Sequence, residues 1–218
     1  MRYSVATIGL AGLAAAAPSS PPSQGNLDTS KGLQLRVKLQ DASKDLPSPV
    51  AGQYVTTIHD GAGTNLVGFS AGSGRVFYNN GTEGADRHSW ALLSDIPDTP
   101  YGISLITTEE NHYLQVARMD VGKAPQHIYV EDGSGTATGG GGPGLNPPNW
   151  LACEEPLAYY GGKKFNTLRH SVVDALVPEE CVKVALLPEC AELNELPPGS
   201  RASHEYARTV SCYKDASV

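Results

Sequence analysis

The chain has 218 residues, 16 Lys and Arg against 23 Asp and Glu, a formal net charge of -7 and 40% hydrophobic residues. The acidic balance argues against non-specific binding to nucleic acid or an anionic membrane surface, and this share of apolar side chains can build a buried core. Past the first residues, no apolar run approaches the roughly 20 positions that a membrane helix needs.

Residues 1–16 combine one early cation, Arg2, with an apolar run over 5–16 and small residues at Ala14 and Ala16. This is the pattern of a secretory signal peptide with an A-x-A site cleaved after Ala16. Its removal takes Arg2 away, so the charge moves by one unit to -8 and roughly 200 residues remain, within the range of one domain. The mature protein is expected to be secreted, soluble and monomeric, without membrane insertion. Residues 17–31 are rich in Pro, Ser, Gln and Asn with no apolar periodicity, which predicts a disordered leader.

The folded part is expected over 32–218. Leu33, Leu35, Val37 and Leu39 alternate with Gln34, Arg36, Lys38 and Gln40, the period of a half-buried strand. Residues 54–59 and 65–70 form a predicted hairpin around Asp60-Gly61-Ala62-Gly63-Thr64, with Asp-Gly supplying the positive φ of a tight turn. Short strands are expected next at 76–78, 88–93, 101–107, 113–119 and 127–131. The stretch 133–148, with its glycine run and Pro147-Pro148, is expected to leave the sheet as a mobile excursion. Strands are expected from Trp150, over 168–176, between Cys181 and Cys190 and at 209–213, and a short helix at 202–208. Many short strands separated by turn signals predict an all-β, antiparallel sandwich or barrel-like single domain.

Four cysteines in an exported chain predict two disulfides. Cys181 and Cys190 flank a strand and so lie roughly 30 Å apart, whereas bridged Cα atoms lie within about 7 Å. Two connectivities remain. Pairing of neighbours in chain order favours Cys153 with Cys181 and Cys190 with Cys212, and the crossed arrangement stays open.

No motif for catalysis stands in its proper setting. Gly68-Phe69-Ser70-Ala71-Gly72 matches a nucleophile elbow on paper, but Ser73-Gly74-Arg75 then leads into another short strand where a helix is required. The glycine run before Leu145 lacks the Lys-Ser/Thr of a phosphate loop. The adjacent pairs Glu109-Glu110, Glu154-Glu155 and Glu179-Glu180 cannot by themselves face each other across a sugar, because neighbours on a strand point to opposite faces. The six histidines show no zinc spacing, so neither a metal nor another cofactor is expected. Trp90 and Trp150 sit beside apolar residues and read as core.

Binding is sought at two places. Tyr159-Tyr160, ahead of Gly161-Gly162-Lys163-Lys164, is the best exposed aromatic candidate. His59-Asp60 is the other, because Ile58-His59-Asp60-Gly61-Ala62-Gly63-Thr64 is echoed by Val130-Glu131-Asp132-Gly133-Ser134-Gly135-Thr136. If the two turns lie together, His59, Asp60 and Asp132 share a surface. Asn80-Gly81-Thr82 is an N-glycosylation sequon in an expected turn.

Taken together, the signal peptide, the Pro/Ser leader, Leu33-Gln34-Leu35-Arg36-Val37, Asp60-Gly61-Ala62-Gly63, Val76-Phe77-Tyr78-Asn79, Trp150-Leu151-Ala152-Cys153 and Cys181-Val182-Lys183-Val184-Ala185-Leu186 resemble small secreted proteins of filamentous fungi grouped as a domain of unknown function. The resemblance spans residues 33–187 and implies no assigned active site. The tail from Cys190 to Cys212 departs from it. The expected function is non-enzymatic binding at a cell wall or host surface, to a polysaccharide or a cell-surface protein and not to nucleic acid. The alternative is a secreted hydrolase whose carboxylates converge only in the fold.

Overall fold

A computed structural model describes residues 26–217 apart from 110, 123–124, 132, 134–140 and 175. The expected signal peptide, residues 17–25 of the expected leader, and Asp132 lie outside the described residues. The strands are β1 (Leu27–Ser30), β2 (Gly32–Leu39), β3 (Tyr54–Gly61), β4 (Thr64–Ser70), β5 (Tyr78–Asn80), β6 (Ala91–Asp95), β7 (Pro100–Thr107), β8 (Leu114–Val121), β9 (Tyr129–Glu131), β10 (Gly144–Asn146), β11 (Trp150–Leu157), β12 (Lys163–Ser171), β13 (Cys181–Ala191) and β14 (Val210–Tyr213). The protein is all-β.

Strand β13 is the spine. It pairs with β2 from Val184↔Leu39 to Ala191↔Gly32, with β11 near its start and with β14 near its end. The sheet then runs β2–β3–β4–β12, and β11, bonded to both β12 and β13, closes that path into a partial ring. Two seams of the ring are narrow, Arg36↔Tyr54 between β2 and β3 and Thr167↔Gly68 between β4 and β12. Gly68 suits the second seam: a Cβ there would lie 2.5 Å from Ile58 Cδ1 and 3.1 Å from the Asn166 carbonyl, so a side chain would require the Ile58 side chain to move and the seam to give slightly. Beyond the ring the sheet continues through β8, β7, β6 and β5, while β9 and β10 form a separate two-stranded sheet. Among the described strands every pairing is antiparallel except β13 with β14.

The alternation in β2 buries Leu33, Leu35 and Val37 in the main core beside Phe77, Trp150, Val184 and Leu186. In β13 the intervening Ala185 and Leu187 are buried as well, against Tyr213, Ala216 and Leu27. Cover on both faces explains the unbroken apolar run from Val184 to Leu187. Pro188 is tolerated because it falls between the end of the β11 pairing at Val184 and the start of the β14 pairing at Glu189, where β13 has an open side. Both tryptophans are core residues, and Trp150 Nε1 donates to the Leu145 carbonyl at 3.2 Å.

The bridges are Cys153–Cys181 and Cys190–Cys212, with Cα separations of 4.0 and 5.2 Å. Both obey chain order.

Several elements differ from expectation, each for a local reason. Leu27–Ser30 form a strand on β14, so the end of the stretch read as a disordered leader belongs to the sheet. In the first hairpin the positive φ belongs to Gly63 (71°), while Gly61 stays in β3 beyond a bulge. The stretch 88–93 splits because Asp86 accepts from the His88 N–H and starts a 3₁₀ turn, Arg87–Ser89, ahead of β6. The stretch 133–148 returns to the fold at β10, with Leu145 in the core. Strand β12 starts earlier than expected and ends at Ser171, whose Oγ donates to the Val173 carbonyl. The helix expected over 202–208 does not form. Ala202 N–H donates to Asp98, Arg208 N–H to Asn79, and Ala207 bridges Asn80. These long-range bonds win because a helix of that length must pay its nucleation cost for few internal bonds.

Candidate functional site

The hairpin joining β11 and β12 carries the exposed aromatics. After the Leu157↔Lys163 pair closes, Ala158–Tyr160 make one 3₁₀ turn, and Gly161 and Gly162, at φ 65° and 82°, bring the chain back. Both glycines therefore serve the turn. Tyr159 is 58% and Tyr160 38% exposed. Tyr160 rests on Phe165 (ring centroids 4.7 Å), Tyr159 meets Tyr160 edge-on (5.2 Å, 70°), and His59 at the end of β3 meets Tyr159 edge-on (5.6 Å, 88°). The Tyr160 hydroxyl donates to the His59 carbonyl at 2.8 Å, fastening the two hairpins together. Lys163 Nζ lies 5.5 Å from the Phe165 ring centroid. Beneath, Phe165 and Ile58 pack on Leu66, Val116 and Leu157.

Thus the structure brings Tyr159, Tyr160 and His59 together and sends Asp60 elsewhere. Asp60 accepts two hydrogen bonds from Arg118, both at 2.9 Å, and Arg118 Nε donates to Asp120 at 3.3 Å. The bond to Asp60 holds the Arg118 guanidinium above its usual range. Asp60 is a clamp between β3 and β8, not a partner of His59. Phe165 and Lys163 were not singled out from sequence; their i, i+2 spacing on a strand, which puts both on one face, was the available signal.

The other candidates are accounted for locally. Ser70 ends β4, and its Oγ accepts from the Gly72 N–H; the next element is β5, with no strand–turn–helix. Glu154 and Glu155 engage different cations, Lys164 at 2.9 Å and Arg169, and Glu155 also accepts from Thr167. Glu155 shares a cleft of about 200 Å³ beside the Cys153–Cys181 bridge with Glu180. That is below the ~300 Å³ of ordinary ligand pockets, and the Glu155 carboxylate is already held by Arg169. Asn80 ends β5, half-buried, paired with Ala91 and bridged to Ala207, where a turn was expected. His204 Nε2 lies 2.7 Å from Asp95 Oδ2, and the Tyr78 hydroxyl donates to Asp95 Oδ1 at 3.2 Å. Burial, then the Asp95 charge, pushes the Tyr78 hydroxyl far up, so it stays a donor and this cluster latches the 200–208 segment to β6.

Residues 30–190 match a protein-family model described as a domain of unknown function (DUF7907). Over 201 residues the chain is 38% identical to the antigenic protein SchS34 of Stachybotrys chartarum, an alignment covering 87% of this chain and 89% of that protein. No solved structure matches.

Proposed function

The chain belongs to the DUF7907 family, a domain of unknown function, and on that footing we propose that it is a secreted, non-catalytic protein that binds glycan chains at a cell wall or host surface through His59, Tyr159 and Tyr160. One observation carries the reading: of two exposed tyrosines in contact, Tyr160 is seated on Phe165 and fastened to the neighbouring hairpin by its bond to His59, and Tyr159 packs edge-on against both Tyr160 and His59. Rings held in place offer apolar area and a polar edge at little entropic cost, which is what an aromatic contact with a sugar ring requires. The rings stand at 70° and 88° to one another. Such a cluster receives one or two sugar units of a bent, soluble chain and does not form a flat strip for a crystalline polymer.

Export is supported by the N-terminal pattern and by two disulfides. An antigenic relative fits a protein displayed outside the cell. Asn80 is the site proposed for an N-glycan; a mass decrease of the secreted protein on glycosidase treatment is expected, and an unchanged mass removes that part of the proposal.

A glycan array, followed by pull-down with soluble and crystalline polysaccharides, tests the binding. Retention on a soluble glycan and at least about tenfold weaker binding by Tyr159→Ala are expected, since exposed aromatic anchors carry most of such contacts. Failure to retain any glycan, or a Tyr159→Ala protein that binds unchanged, overturns the proposal.

A further inference from the structure

A second concave surface has a different chemistry. Strand β7 pairs with β8 from Tyr101 through Thr107, but with β6 only from Pro100 to Gly102. Strand β6 leaves it because Ala91 bridges Ile128, and the Trp90 carbonyl accepts from the His127 N–H at 3.1 Å. Among the described residues, 103–107 therefore have a strand neighbour on one side alone. On the other side Ile128, Asn146 and Pro147 form a facing wall, and the space between measures about 590 Å³. That is within the ~300–1,000 Å³ of small-molecule sites.

The lining says what would enter. Leu105, Ile106, Pro125, Ile128 and Pro147 are apolar, Gln126, His127 and Asn146 add polar groups, and no Lys, Arg, Asp or Glu borders the cleft among the described residues. A charged occupant would lose its hydration with no counter-charge to replace it. Ser104, which is 5% exposed, also borders the cleft, with its Oγ turned away from the open space.

We propose that the cleft between β7 and the Ile128–Pro147 wall binds a neutral, mainly apolar small molecule. This site shares no residue with the aromatic cluster and does not depend on glycan binding. Nile red, a neutral dye with a ring carbonyl, is the probe, and its fluorescence is titrated against the full secreted chain. Saturable binding at a single site is expected. Ile106→Glu, at a position already 38% exposed and thus tolerant of a polar side chain, should weaken binding at least about tenfold by placing a charge in the cleft. Tyr159→Ala should leave it unchanged. An anionic naphthalene sulfonate dye should bind far more weakly. Non-saturable fluorescence, unchanged affinity in Ile106→Glu, or equal binding of the anionic dye would overturn the cleft proposal.

Discussion

The two ends of β13 are both stapled, yet the staples meet different surroundings. At the first residue, Cys181 lies directly opposite Cys153 in an antiparallel ladder, and β11 is also paired with β12 along its whole length. At the far end, Cys190 holds Cys212 of β14, which meets β13 at Glu189↔Tyr213 and has β1 as its other neighbour. Around that second bridge the Glu189 carboxylate accepts from the Tyr54 hydroxyl (2.8 Å), the Ala216 N–H (2.9 Å) and Arg36 (3.3 Å). The bridges close loops of similar length, with separations of 28 and 22 residues. Chain entropy alone gives them nearly the same worth, about 3.5 kcal/mol each. Their difference is local: a cross-link alters native-state opening only where the non-covalent pairing around it is sparse.

The largest expected effect comes from replacing Cys190 and Cys212 together by Ser. Global stability should fall by about 3 kcal/mol, and amide exchange in 27–30 and 210–213 should quicken by about a hundredfold or more relative to the core, because those strands can then open on their own. Hydrogen exchange read by mass spectrometry checks this, and equal protection of β14 and β2 would break the comparison. Replacing Cys153 and Cys181 by Ser should cost a similar ~3 kcal/mol in denaturant titration. In that variant β11 should still exchange no faster than global unfolding allows, since its ladders persist.

Glu189→Ala tests the non-covalent support of the second bridge and should cost about 1–3 kcal/mol, since it strands the partners of a half-buried carboxylate. Burial and then the bond to Glu189 hold the Tyr54 hydroxyl above its ordinary value. In Glu189→Ala the Tyr54 titration, followed by ultraviolet absorbance, should therefore move down.

The smallest effect belongs to the Cys181 end and depends on pH. His170 packs edge-on against Trp150 at 5.4 Å, with Nδ1 2.8 Å from Gln115 Oε1. Burial lowers its pKa below the usual 6.5. The unfolded chain therefore takes up a proton that the folded chain resists. This contribution is complete above about 6.5 and is lost as pH falls toward and through the folded pKa, with a slope no steeper than about 1.4 kcal/mol per pH unit. Urea unfolding at pH 7 and pH 5 should show the loss, and His170→Gln should reduce it.

Legibility depended on how locally each feature is encoded. Strand β2 was readable because one face is buried and the other is not, so Leu33, Leu35 and Val37 keep a period of two. The Tyr159-Tyr160 surface was readable from Gly161-Gly162, which mark a turn, and a turn exposes what it carries. His59 joins it through a hydrogen bond across 101 positions of sequence, and no local signal encodes that contact. The segment 202–208 went wrong for the same reason. Its backbone partners, Asp98 and Asn79, lie about a hundred residues or more away, and such partners override a weak helical preference.

By itself, then, the sequence determined the class of the protein, the two-bridge framework and the exposed aromatic turn, since alternation, turn chemistry and strand length act over a few residues. The tertiary structure decided that β11 closes a ring against β13, that Asp60 clamps Arg118, and that β6 leaves β7 to open a cleft beside Ser104. Those outcomes are choices among distant partners. They are set by which pairings together bury the most apolar surface and leave the fewest polar groups unpaired.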